Sequence, residues 1–170
     1  LSGWVNQNSQ SDWARLADFG TNSNNYVFIA PYNSGGDPTA EVQVNGNSKV
    51  RAQDGSTTLG TNTWYHMACT YDGSTLILYI DGQQAATGSG SYDLRNIDFS
   101  NSYIGRSQYS DPDLDAKVDD VRVYSTALSQ NEIQTIYETK ARLDENHRFF
   151  GHQLQENNIR YEWYDTQTYY

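Results

Sequence analysis

TNTWYHMACTYDGSTLILYIDGQ, residues 61–83, decides the fold. Tyr65, Met67, Cys69 and Tyr71 alternate with His66, Ala68 and Thr70, which is the period of a β-strand. After Asp72-Gly73-Ser74 a second β-rich run starts at Leu76, and two such runs across an Asp-Gly turn predict a hairpin. Asp81-Gly82 turns the chain again into residues 83–87, so the stretch predicts a three-strand meander. Both faces of residues 76–80 are apolar. That strand is therefore expected inside a two-layer β structure, not on a wetted edge.

Working outward, residues 1–6 (LSGWVN), 13–19 (WARLADF), 26–30 (YVFIA), 103–105 and 117–124 (KVDDVRVY) read as further strands. Residues 40–45 alternate Val42 and Val44 with Glu41 and Gln43, the pattern of a half-exposed strand, and an Asn45-Gly46 turn joins them to a partner at 49–53. Ser129-Gln130-Asn131-Glu132 is a capping box, and Ile133, Ile136 and Tyr137 mark one apolar face of the helix that follows.

Four segments in this order, WYHMACTYDG, LILYIDGQ, SYIGRS at 102–107 and AKVDDVRVYSTALSQNEIQTIY at 116–137, resemble the laminin-G-like domains of the concanavalin A-like lectin/glucanase superfamily. The resemblance implies an all-β fold, a jelly-roll sandwich of two antiparallel sheets over residues 1–138, followed by a helix extension and strand-forming tail over 139–170. LSGWVN is similar to a strand found partway into such domains, which implies that the family's first strands are missing and that an edge is left open. The chain starts at Leu1 and is expected to be a processed product or a piece of a longer polypeptide. Lectins, adhesion modules, hydrolases and inert spacers all use this sandwich, so the fold does not fix the function.

In the tail, Ile159, Tyr161 and Trp163 alternate with Arg160, Glu162 and Tyr164, a strand with one apolar face. It resembles the opening strand of the family. We expect it to fill the open edge, either in its own chain or in a neighbour by strand donation; the alternative is an amphipathic tail lying on its own domain.

The 170 residues suit one domain with a sizeable core. A net charge of −10 argues against nucleic acid or an anionic membrane as partner, since both need a cationic surface, and is compatible with divalent cations and neutral glycans. Cys69 stands alone, so no intramolecular disulfide forms, and its place in the hairpin predicts a small buried hydrophobe. No stretch has the run of apolar residues that a membrane helix needs.

Asp111, Asp113, Asp115 and Asp119 fall at the ligand spacing of a helix–loop–helix calcium loop. Ala116 stands where that loop needs glycine and Arg122 where it needs its bidentate glutamate, so the spacing does not make that motif. The family resemblance implies another arrangement, one structural Ca²⁺ held by Asp119 or Asp120, with the ligands of the absent N-terminal strands missing unless Asp165 replaces them. The alternative is a solvated acidic loop.

Glycoside hydrolysis needs two carboxyl groups across a sugar. The Glu-x-Asp-x-x-Glu strand of family glucanases does not occur, and Asp119 and Asp120 point to opposite faces of their strand. His66, His147 and His152 have no zinc-pair spacing, and His66 is expected to be a packed, hydrogen-bonded side chain. Glycan recognition needs aromatic rings beside amides and carboxylates. Three loop groups offer this, Tyr32 with Asn33 and Asp37, Tyr92 with Asp93 and Arg95, and Tyr109 with Gln108 and Asp111. Trp4, Trp13 and Trp64 each start a predicted strand and are expected in the core.

These readings predict a non-catalytic extracellular recognition or adhesion module that binds carbohydrate or a protein surface. The competing reading is a structural subunit of a virion surface or extracellular filament that self-associates through Ile159, Tyr161 and Trp163.

Overall fold

The structure, a computed structural model, describes residues 1–146. The strands are β1 (Ser2–Gln7), β2 (Ala17–Asn22), β3 (Asn25–Ala30), β4 (Thr39–Gln43), β5 (Val50–Gln53), β6 (Trp64–Tyr71), β7 (Thr75–Ile80), β8 (Gln83–Ser89), β9 (Asn101–Ile104) and β10 (Ala116–Arg122), followed by helix α1 (Gln130–Asn146). They form two five-stranded antiparallel sheets, β10-β1-β6-β7-β8 and β5-β4-β3-β2-β9. This is the jelly-roll sandwich that the central hairpin and the four segments imply.

The hairpin pairs Met67 with Ile80 and Cys69 with Leu78. Asp72 builds its turn: one carboxylate oxygen accepts from the backbone N–H groups of Ser74 and Thr75. Asn45-Gly46 and Asp81-Gly82 both have positive φ at their two residues, the conformation whose twist matches paired strands and which these residue pairs tolerate.

Strand alternation sorts side chains into three layers. Val5, Ile29, Ala40, Val42, Val50, Ala52, Met67, Cys69, Leu76 and Leu78 meet between the sheets and make the main core. Cys69 is buried there, and burial pushes its thiol above the usual range. On the outer side of the first sheet, Ala68 and Tyr79 pack with Ile133 of α1, and Ile77 and Leu128 close around them. The two apolar faces of β7 are thus covered by the second sheet on one side and by the helix on the other. The capping box starts that helix: the Ser129 N–H donates to Glu132 Oε2 at 2.7 Å, and the Glu132 N–H donates to Ser129 Oγ at 3.4 Å.

Several local expectations are corrected. Residues 13–16 are not strand; the chain turns there, with Trp13 at φ 63° and its N–H bonded to the Tyr32 carbonyl. β4 is buried throughout, not half-exposed, because the side chains of Tyr26, Lys49 and Arg51 close over Glu41. Trp4 is buried against α1, stacked on Tyr137 with ring centres 5.6 Å apart, but Trp64 is exposed at the start of β6. His66 packs between Trp4 and Tyr137. Neither of its ring nitrogens has a hydrogen-bond partner among the described residues.

In the first sheet β1 is an interior strand, flanked by β10 and β6, and among the described residues the edge strands are β10 and β8. The proposed tail strand, with Ile159, Tyr161, Trp163 and Asp165, lies outside the described residues, as do His147 and His152.

Candidate functional site

The outer face of the second sheet carries no helix among the described residues and is shaped into a groove. One rung of directly opposed residues crosses it: Phe28 on β3, Glu41 on β4 and Arg51 on β5 line the groove, and Asp18 on β2 is fully buried beside them. Opposed residues in a sheet put their side chains on the same face, so this register assembles an aromatic ring, two acids and a cation across four strands. Trp13, Arg15, Lys49, Tyr109 and Asp111 complete the lining of a groove of about 280 Å³, near the small end of the range for small-molecule sites.

Two ionic clusters fix its side chains. Buried Glu41 accepts from the Tyr26 hydroxyl at 2.6 Å and pairs with Arg51 and, at 3.2 Å, with Lys49. Buried Arg15 donates to Asp111 Oδ2 at 3.1 Å and to the Trp13 carbonyl at 2.9 Å, and lies 3.6 Å from Asp18. Asp18 in turn accepts from the Gln108 N–H, and Asp111 from the Ser107 hydroxyl. Burial pushes the Asp18 carboxyl up to about 6, in spite of the Gln108 N–H and Arg15, and burial pulls the Arg15 guanidinium below its usual range in spite of its acidic neighbours.

The aromatic rings are interleaved with these cations. Arg15 sits over Phe28, and the Trp13 ring has Arg15 at 5.5 Å and Arg51 at 5.1 Å from its centre. Lys49 lies 5.4 Å from the Tyr109 ring. Tyr109 itself is anchored by its hydroxyl, which donates to the Ser23 carbonyl at 2.7 Å. A left-handed backbone is uncommon for a bulky residue and costs energy; at Trp13 it places an indole at the groove instead of in the core.

Of the residues singled out in the sequence as a ligand site, Tyr109 and Asp111 line this groove. Tyr32 does not line it and is tied to it through its backbone carbonyl, which accepts from the Trp13 N–H. Asn33 is buried and shapes its own loop, its side chain accepting from the N–H groups of Gly35 and Asp37 and donating to Thr39. Asp37 accepts from Gln53. Tyr92 is away from the groove, its hydroxyl donating to the Ser48 carbonyl and its N–H to the Tyr71 hydroxyl.

Of the acids named for calcium, the four among the described residues have separate surroundings. Asp115 accepts from Asn8 and Ser9, Asp119 pairs with Lys140, Asp120 holds Arg122 through two hydrogen bonds, and Asp113 is exposed. No three His, Cys, Asp or Glu residues form a metal-holding group among the described residues.

Six groove residues, Trp13, Arg15, Phe28, Glu41, Lys49 and Arg51, were not among those singled out. Arg51 lies opposite Glu41, a charge pair on one face, in a register one residue away from the one a two-residue Asn45-Gly46 turn would set.

A laminin-G-type family model, described as the concanavalin A-like lectin/glucanases superfamily, matches residues 1–134. No curated protein matches the sequence closely. Among solved structures, domain 4 of a GH43 extracellular arabinanase from Geobacillus stearothermophilus, in complex with arabinotriose, is similar with a TM-score of 0.65 at 18% identity, over 80% of this chain and 64% of that one. A putative carbohydrate binding protein from Bacteroides ovatus aligns with a TM-score of 0.60 at 21% identity, over 78% of this chain and 38% of that one. A sialidase from Trypanosoma rangeli aligns with a TM-score of 0.60 at 18% identity, over 82% of this chain and 22% of that one. The chain thus spans less than two thirds of each of these three proteins, and at such identities the likeness shows the fold alone. With the family model matching most of its length and the sandwich in place, the chain belongs to the concanavalin A-like lectin/glucanases superfamily.

Proposed function

We propose that this chain is a non-catalytic carbohydrate-binding module that takes a sugar into the groove on the outer face of the second sheet. The observation that carries this reading is Trp13, held in a left-handed conformation at the groove beside two guanidinium groups. An indole face packs against the apolar C–H face of a sugar ring, while Arg51, Asp111 and Lys49 supply polar contacts for its hydroxyls. The arabinanase domain solved with arabinotriose and the putative carbohydrate binding protein share the fold and favour the same class of ligand.

The acids in the groove are poorly placed for hydrolysis. A glycosidase needs one carboxyl free to protonate and another free to attack or activate water. Glu41 is buried against Lys49, Arg51 and the Tyr26 hydroxyl, Asp18 is fully buried, and Asp111 is engaged by Arg15 and Ser107. We place the module outside the cell or on an exposed surface, where glycans are met. No helix among the described residues is long and apolar enough to cross a membrane.

The test is binding to an immobilised glycan panel with Trp13→Ala as the comparison. The expected result is a set of bound glycans whose affinity falls by about 1–3 kcal/mol in the variant, the usual worth of a stacked ring, with no release of reducing ends on long incubation. Binding that is unaffected by Trp13→Ala would place the ligand elsewhere, and turnover would overturn the non-catalytic reading.

A further inference from the structure

Resting on that reading, we propose that the groove selects sugars that carry an anionic group, a carboxylate or a sulfate, over their neutral counterparts. The chain has a net charge of −10, yet the charges it presents to solvent in the groove are mainly positive. Lys49 and Arg51 are 41% and 37% exposed, and both are paired with the same carboxylate, Glu41, which is 1% exposed. Two accessible cations thus share one buried anion that also accepts from the Tyr26 hydroxyl. Asp111, the one partly exposed acid of the lining, is turned to Arg15 and Ser107.

The donors that remain suit an oxyanion. Arg51 commits its Nε to Glu41, and the Nη pair of a guanidinium has the fork geometry that matches a carboxylate or sulfate. Its Cζ lies 5.1 Å from the centre of the Trp13 ring. A sugar stacked on Trp13 therefore holds its exocyclic anion beside Arg51. Lys49, next to Tyr109, adds a second positive charge on an ammonium with donors to spare after Glu41. In so acidic a protein the surrounding field repels anions in general, so capture depends on the two cations acting at short range, where added salt screens little.

The experiment uses the full chain on a panel that pairs each acidic glycan with its neutral form: oligogalacturonates with their methyl esters, and sulfated galactan oligosaccharides with the desulfated ones. The expected result is at least about tenfold tighter binding of the acidic member, lost in Lys49→Gln/Arg51→Gln. Adding Glu41→Gln to that variant removes the carboxylate left without its ionic partners, and an unchanged thermal midpoint shows the fold intact. Preference for uronates alone or for sulfates alone names the source and supports the proposal. Equal binding of the acidic and neutral members keeps the carbohydrate reading and overturns this one. Absence of binding to every glycan overturns both.

Discussion

The guanidinium of Arg15 lies 3.6 Å above the centre of the Phe28 ring, and the side chain is 3% exposed. It is the hub of the second ionic cluster, holding Asp111 at its far end and Asp18 beneath. Removing one partner from a buried charge cluster is costly because the others stay behind uncompensated. Arg15→Met keeps the apolar stem over the ring but strands Asp18. We expect a loss of about 3 kcal/mol at pH 7 in urea unfolding, and recovery of most of it in Arg15→Met/Asp18→Asn. A double variant no more stable than the single one would mean that the arginine acts by stacking on Phe28, not by neutralising Asp18.

The same buried acid and His66 give stability two opposed pH dependences. Burial, with the charge of Arg122 adding to it, holds the His66 imidazole down at about 4. The unfolded chain then takes up its histidine proton first, so this contribution is full above about 6.5 and is lost as pH falls to 4. Asp18 behaves in the opposite sense: its folded carboxyl is raised to about 6, so its contribution is full below about 3.9 and is lost as pH rises through 6. Each is worth about 3 kcal/mol, and in the parent chain they largely cancel between pH 6 and 4. Asp18→Asn should uncover the histidine, with stability falling by about 3 kcal/mol from pH 6.5 to 4. His66→Leu should uncover the aspartate, with stability rising over the same interval. Parallel curves for the two variants would refute the assignment.

What could be read in advance divides along a physical line. The sandwich rests on local signals, alternation within a strand and the Asp-Gly and Asn-Gly turns, and these survived folding because each is set by residues a few positions apart. The groove is made of relationships across the chain. Arg15 reaches Asp111 and Glu41 is covered from β3 and β5, so a strand that alternates apolar and polar residues, as β4 does, is buried on both faces. Trp13 was misplaced because a tryptophan ahead of an apolar run looks like the start of a strand. Only the carbonyl of Tyr32, drawing its N–H aside, shows that it is not. Tyr109 and Asp111 were legible as a pair because a loop rich in acids with one aromatic ring has a composition of its own.

Gly88 tests whether the groove depends on how closely the two sheets approach. It lies on β8 of the first sheet against the backbone of Arg51 on β5 of the second, where an added Cβ would overlap the Arg51 carbonyl. Its φ is not in the left-handed region, so the constraint is one of space and not of conformation. Backbone cannot swing aside as a side-chain tip can. Gly88→Ala must therefore push β5 outward, and the Arg51 side chain goes with it. We expect a destabilisation of about 1–3 kcal/mol, the range for overpacking a filled site, together with weaker glycan binding. Gly55→Ala is the control, since nothing lies within 4 Å of its added Cβ, and it should be neutral or stabilising by up to about 1 kcal/mol. If Gly88→Ala lowers stability while leaving glycan affinity unchanged, the position of Arg51 is not set by the packing of β8 and the groove is more forgiving than its ionic clusters suggest.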